Sequence, residues 1–464
     1  MQATKPIFIA ATALAIVGCA PVGPDYVKPE FRPSQQYKSS TSSHFGVSSS
    51  WWQSFRDPEL NRLQGQLLAQ NLDLAAAHAR RKQALAQLGI TASAVYPQLN
   101  ATGSATRHKS SQAGLSGSQL SEYYSLYDVG GYLSYEMDLW GRVRRLVEAG
   151  KADAEAAGFA VADARVSLQT QLARQYFALR FLDEEISILA QAVETRKVSV
   201  KITNERHQAG LTSELDTARA KSELANARAD LLALKGPRAT LENSIAVLLG
   251  QQPSAFRIRS RSSRAYLPTV PAGVPAALLY RRPDVAVAER KVAAATARIG
   301  LAEAERYPKF SLTGSAGSNA VSSKNFLGWS SQFFSIGPSV SVPLFQGKRI
   351  KSGILLSQAQ REEALANYQK TVLSAIADVE SAVASLQALK GEASARHSAV
   401  EASARTLELS SVRYKEGATN YLDVADAQRS KLSAQRAAVR TRGQQFGATI
   451  QLIQALGGGF SRGK

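Results

Sequence analysis

A nine-residue segment of this chain, Tyr96-Pro97-Gln98-Leu99-Asn100-Ala101-Thr102-Gly103-Ser104, returns 211 positions later as Tyr307-Pro308-Lys309-Phe310-Ser311-Leu312-Thr313-Gly314-Ser315. Asp73 pairs with Asp284 and Gly89 with Gly300 at the same offset. Further along, Gly210 pairs with Gly417, Asp216 with Asp423, and Leu249-Gly250 with Leu456-Gly457, all at an offset of 207. Self-similarity of this kind means one structural unit built twice, so the 464 residues are not two or three unrelated domains. The halves run over residues 57–250 and 272–457, joined by a linker at 251–271. Pro253, Pro268 and Pro271 mark that linker, Pro275 follows it, and residues 458–464 form a tail.

Each half reads as a helix, two strands and two long helices, because the hydrophobic period changes from about 3.6 to 2 and back. Strands are expected over residues 97–108, 125–139, 308–319 and 333–344. Leu99, Ala101, Gly103 and Ala105 face one way, with Asn100, Thr102, Ser104 and Thr106 on the other side. Phe310, Leu312, Gly314 and Ala316 alternate in the same way with Ser311, Thr313 and Ser315. Ten-residue strands with one apolar face match a transmembrane β-barrel, and a soluble half-exposed sheet gives the same pattern. If the sheet lies in lipid, four strands cannot close it, since an open edge leaves backbone groups unpaired; several chains must then share one barrel.

The helical parts carry the other constraint. Residues 142–207 and 348–415 each lack proline for roughly 65 residues, about 100 Å of helix at 1.5 Å per residue. Leu172, Tyr176, Leu179, Ile186 and Val193, then Leu224, Leu231, Leu241, Ile245 and Leu248, recur at coiled-coil spacings. Locally such stripes also suit an ordinary helical core, so their length and repetition argue for a tube. Gln208-Ala209-Gly210-Leu211-Thr212 and Glu416-Gly417-Ala418-Thr419-Asn420 interrupt the helices, with Gly210 and Gly417 placed as C-caps of hairpin tips.

Residues 1–18 read as an export signal: Lys5 gives the positive end and residues 7–17 an apolar run too short to span a bilayer. Cys19, the only cysteine, follows at once, in a segment Ile16-Val17-Gly18-Cys19 that resembles the bacterial lipobox. That resemblance implies a diacylglycerol on the Cys19 thiol, and Ala20 in place of Asp implies sorting to the outer membrane. The Pro- and Ser-rich residues 19–56 read as an extended arm behind that anchor. No run of eighteen or more apolar residues follows, so no transmembrane helix is expected.

With 56 Lys plus Arg against 37 Asp plus Glu, the net charge of +19 admits an acidic partner, anionic lipid or nucleic acid. The export signal and the absence of aromatic interleaving argue against nucleic acid. The five histidines share no metal spacing, and no phosphate-binding loop or nucleophile elbow is present, so no enzyme or cofactor site is expected.

Nearly the whole chain resembles the TolC-like outer membrane factors, in particular the NodT-type efflux lipoproteins. The resemblance is carried by Cys19-Ala20-Pro21-Val22-Gly23-Pro24-Asp25-Tyr26, by Arg281-Arg282-Pro283-Asp284-Val285, by Tyr307-Pro308, and by hairpins with Tyr414, Gly417 and Asp423. It implies a mainly α protein with transmembrane β: a homotrimer whose twelve-stranded barrel, four strands per chain, continues into an α-helical coiled-coil tunnel. It also implies passive conduction out of the periplasm, with a periplasmic adaptor and an inner-membrane transporter as partners. The competing class is a periplasmic coiled-coil adaptor, which would lack two pairs of amphipathic strands.

By that resemblance Asp423 and Asp426 match ring-forming aspartates at the periplasmic gate, Tyr414 a gate tyrosine and Asp216 a network aspartate, while Gly210 and Gly417 mark tips that meet the adaptor. Where some members carry an arginine linking the hairpins, this chain has Thr419, which puts a salt-bridged latch there in doubt. Asp423 and Asp426 lie three apart on one helical face, where three-fold symmetry gathers six carboxylates; solvated or helix-capping aspartates would show the same spacing.

Overall fold

The computed structural model describes residues 20–31, 37–38, 47–109, 111, 123–273 and 275–461. The expected signal at 1–18, Cys19, most of the Ser-rich run and most of the loop at 107–122 lie outside these. In chain order the elements are α1 (Pro58–Gln70), α2 (Leu72–Ala92), β1 (Gln98–Lys109), β2 (Tyr123–Met137), α3 (Arg142–Gln208), α4 (Glu214–Ala233), α5 (Lys235–Leu248), α6 (Pro283–Ala304), β3 (Lys309–Ala320), β4 (Gln332–Ser341), α7 (Arg349–Lys415) and α8 (Tyr421–Ala455). The chain falls into two compact units, and each takes segments from both sequence repeats. One comprises Met1–Glu30, Arg80–Gly158 and Val287–Tyr368, the other Phe31–Ala79, Phe159–Ala286 and Gln369–Lys464.

The first unit holds the sheet, antiparallel throughout in the order β1-β2-β3-β4. Its register lines up what the sequence alternation separates. Leu99 faces Leu133, which faces Gly314, which faces Ile336, and the next row on that side is Ala101, Gly131, Ala316 and Phe334. The intervening rows belong to the opposite side: Asn100, Tyr132, Ser315 and Ser335, and Ser104 beside Asp128 beside Asn319. Asn319 donates to Asp128 across that side at 3.1 Å. In the single chain the apolar face is uncovered, with Leu99, Phe334, Ile336 and Val340 all exposed. Strands β1 and β4 are the open edges. Pro338, which has no amide hydrogen to give a ladder, sits on edge strand β4.

Below the strands the chain turns sharply into α3. Asp138 accepts from the amides of Val143 and Arg144, both at 2.9 Å, so it caps the new helix, and Arg142 grips Glu136 through two bonds of 2.7 Å. Trp140 donates to the Pro308 carbonyl at 2.8 Å and stacks on Tyr307 at 4.9 Å. The arm is fastened at this level. The Val22 amide donates to the Trp140 carbonyl, and the buried Arg145 guanidinium reaches the carbonyls of Val22 and Gly23 and the carboxylates of Asp25 and Glu148. A side chain at Gly300 would meet the Val22 carbonyl at 2.6 Å, so this glycine lets the arm pass; at its repeat partner Gly89 the space is open. Arg145→Ala should free the arm, read as at least tenfold faster proteolysis within residues 20–31 with the cleavage pattern of the rest of the chain unchanged.

The second unit contains the main core. Phe55, Phe177 and Phe446 form a triangle with ring centroids 4.7 to 5.7 Å apart, walled by Leu60, Leu63, Leu67, Leu172 and Ile450. The extended-arm expectation stops short here. Trp51–Phe55 forms a turn of 3-10 helix with Trp51, Trp52 and Phe55 buried, because two tryptophans and a phenylalanine in five residues are worth more in a core than in a tether. The linker also packs, with Phe256, Ile258 and Ala265 buried.

Three further features refine the sequence reading. The second long helix of the first repeat is broken at Leu234 into α4 and α5. Pro237 has no amide hydrogen and its ring collides with the preceding turn, whereas Gln444, its partner at offset 207, leaves α8 continuous. Helix α7 contains an eighteen-residue stretch whose average hydropathy suits a membrane by composition alone. Alanine, valine and leucine raise its average without forming an unbroken apolar run, and Val372, Ala375, Val379 and Ala382 pack inside the unit. Finally, Arg282 of the Arg-Arg-Pro-Asp motif is a joint: it bonds Asp284 at 2.7 and 3.0 Å, Asp378 on α7 at 3.0 Å, and the Ala455 carbonyl at the end of α8 at 3.1 Å.

Candidate functional site

The two hairpin tips, both in the second unit, are one construction made twice. At the end of α3, the Leu211 amide donates to the Arg206 carbonyl and the Gly210 amide to that of His207; at the end of α7, Ala418 donates to Arg413 and Gly417 to Tyr414. These paired bonds are the Schellman closure, and they need the left-handed backbone that Gly210 (φ +71) and Gly417 (φ +78) supply. Each following helix then opens on a threonine–aspartate pair: Thr212 donates to Asp216, and Thr419 to Asp423. Thr419 is thus the counterpart of Thr212 at offset 207, occupied in its own hairpin rather than standing in for an absent arginine.

Between the tips lies a packed aromatic contact. Tyr414 and Tyr421 meet edge to face at 5.8 Å, buried with Ala220, Val424 and Ala425. The guanidinium of Arg206 covers the Tyr414 ring at 4.9 Å and donates to the Tyr414 and Lys415 carbonyls at 3.3 and 3.4 Å. Those carbonyls end helix α7, where backbone acceptors lack helical donors and the dipole is negative, so a cation is well placed. Burial pushes the Tyr414 hydroxyl pKa up, with Arg206 opposing and Asp216 reinforcing the shift. Behind the contact, Gln428 donates to Ser199 at 3.0 Å, and Glu223 pairs with Arg196 at 3.2 Å. Deeper still, burial pushes the Glu185 carboxyl up, and the hydrogen bonds and charges of Arg440 and Arg436 together outweigh it and hold the group below the usual range.

The expected gate residues therefore divide. Tyr414 and Asp216 are buried on the contact between hairpins, but Asp216 accepts from Thr212 and not from Tyr414, whose hydroxyl has no hydrogen-bond partner among the described residues. Asp423 and Asp426 are exposed on one face of α8, while Val424, Ala425 and Ala427 between and beside them are buried. Asp426 pairs with Arg429, and Asp423 with Thr419. Gly210 and Gly417 form the tips themselves. The residue sequence reading missed is Arg206; its signal is a cation four positions before the capping glycine, repeated as Arg413 before Gly417.

The family model described as outer membrane efflux protein matches the chain twice, over residues 63–251 and 274–458. Outer membrane protein OprJ of Pseudomonas aeruginosa is 30% identical over 468 aligned residues that cover 99% of this chain and 98% of that protein. Among solved structures, the outer-membrane channel OprN superposes with a TM-score of 0.86 at 31% identity, covering 94% of this chain and 99% of that one. The CmeC outer membrane channel of Campylobacter jejuni superposes with a TM-score of 0.90 at 25% identity, covering 96% of each.

Proposed function

Because the chain belongs to the outer membrane efflux protein family and is an outer-membrane channel of a tripartite efflux system, we propose how its residues conduct and close. The observation that carries the proposal is the sheet, which is apolar on one side and polar on the other, with β1 and β4 unpaired in the single chain. In hydrocarbon each unpaired backbone group costs several kcal/mol, so the edges of three copies join and twelve strands close. The apolar face then meets lipid, and the face bearing Asn100, Tyr132, Ser315, Asp128 and Asn319 lines a wet lumen. Trp140 and Tyr307, stacked beneath the strands, suit the interfacial level.

Closure belongs to the tips. Asp423 and Asp426, exposed on one face of α8, give six carboxylates at the mouth of a trimer; Tyr414 and Asp216, buried where the hairpins meet, hold the closed packing together with Arg206, and the Thr419–Asp423 pair fixes the turn of its own hairpin. This arrangement selects cations and narrows the passage. It supplies no energy and no chemistry on the solute, so export is driven by an inner-membrane transporter, reached through a periplasmic adaptor that meets the tips around Gly210 and Gly417. Purified protein in planar bilayers should give discrete, ohmic, cation-preferring steps; an absence of steps at protein densities that give trimers by native mass spectrometry contradicts the conduction reading.

The lipid anchor stands at the head of the arm. Val22 is tied to Trp140 and Pro21 lies against Gly141, so the first described residues of the arm sit beside the base of β2, and the anchor on Cys19 is assigned from the lipobox resemblance. Two or more acyl chains there would anchor stably at about 0.8 kcal/mol per buried methylene. Cys19→Ser should lose metabolic palmitate labelling completely while export continues; labelling that persists contradicts the assignment.

A further inference from the structure

Further up the hairpins side chains reach across both ways, but at the closing turns the arginine contact within one chain is made once. Arg206 of the first tip reaches the carbonyls of Tyr414 and Lys415 at the second. Its counterpart Arg413 occupies the same turn of the same closure, yet its side chain is exposed and has no hydrogen bond or ion pair among the described residues. The two tips share the Schellman bonds, the left-handed glycine and the threonine–aspartate pair, so a surface that fits one receptor is present again without it.

A head-to-tail contact repeated around a closed ring uses each donor face and each receptor face once per step. Three copies present six tips in alternation. We propose that Arg413 of each chain clamps the end of helix α3 in the neighbouring copy, taking there the place that Arg206 takes on α7 within the chain. This rests on the trimeric channel reading above. The acceptors, by the same offset, are the carbonyls of His207 and Gln208, again the donor-poor, negative end of a long helix. The ring beneath the guanidinium is the exposed His207 imidazole, where Arg206 has the phenol of Tyr414. An imidazole holds a cation over its face less well than a phenol ring, so the joint between copies is the weaker one. The tips accordingly part first along the three subunit seams, each chain keeping its own pair of hairpins together.

The test is thiol cross-linking of the full-length trimer with a short bifunctional reagent. Arg413→Cys combined with Gln208→Cys should convert most of the protein to covalent dimers and trimers on non-reducing gels, at least tenfold above either single variant. Ser199→Cys with Gln428→Cys, whose parent side chains touch within the chain, should instead link without changing chain number. Trimers intact by native mass spectrometry in which only the second pair links would overturn the clamp. Absence of trimers in the parent protein would overturn the channel reading, and the clamp with it. Independently, Arg413→Ala should raise single-channel conductance several-fold and Arg413→Lys should stay near the parent; equal conductance in all three also contradicts the proposal.

Discussion

The double variant Asp423→Ala/Asp426→Ala is expected to conduct several-fold more current per channel than the parent and to lose most of its preference for cations. Six carboxylates at one narrow mouth act on permeating ions in a setting less screening than bulk water, where each nearby charge is worth about 1 to 4 kcal/mol. Removing them widens the constriction and erases its field together. The substitutions cost the fold little. Both side chains are exposed, Asp423 bonds only within its own turn, and the Asp426–Arg429 pair is a surface ion pair of the kind that contributes about 0–1 kcal/mol. Single-channel recordings in asymmetric salt read both quantities at once. Parental conductance with parental reversal potential would remove Asp423 and Asp426 from the gate.

Gly457→Ala is expected to abolish accumulation of folded protein, through a mechanism unrelated to conduction. Gly457 closes helix α8 at φ +87, and a β-carbon there would stand 1.9 Å from the carbonyl oxygen of Arg281. Left-handed strain and the forced shift of backbone add up to about 2–5 kcal/mol, a large part of a typical domain's 5–15. The repeat supplies an internal control. Gly250, the counterpart of Gly457, has φ +66 and would meet the Gln70 carbonyl at 2.5 Å, and Gln70 is the counterpart of Arg281. Gly250→Ala should therefore destabilise in the same way but less severely, measured as the loss of heat-resistant trimer on gels. If Gly457→Ala trimers melt with the parent, the close approach is not a constraint.

These examples show what the sequence makes legible and what it does not. The two faces of the strands are legible because the alternation of Leu99, Ala101 and Gly103 with Asn100, Thr102 and Ser104 is a property of side chains, whereas the register that sets Leu99 beside Leu133, Gly314 and Ile336 is made by backbone pairing. Arg281-Arg282-Pro283-Asp284 is legible as a motif, but its work is done largely against an Asp378 side chain and an Ala455 carbonyl far along the chain. Arg206 escaped for a related reason. Its partners are two backbone carbonyls and the face of a ring, none of which leaves a residue-type signature to search for. The arginine that bridges the tips within the chain stands at position 206 of the first hairpin, and position 419 of the second holds a threonine. The break at Leu234 was available from Pro237, and the long hydrophobic stripe on either side of it concealed the break.

The most direct test of the account is electron microscopy of the protein extracted from outer membranes in detergent, with native mass spectrometry of the same sample. The account predicts a three-fold particle whose barrel has twelve strands, β4 of each copy joined to β1 of the next, continued by long helices. A soluble monomer or dimer, or a sheet whose β1 and β4 edges stay unpaired, would contradict it.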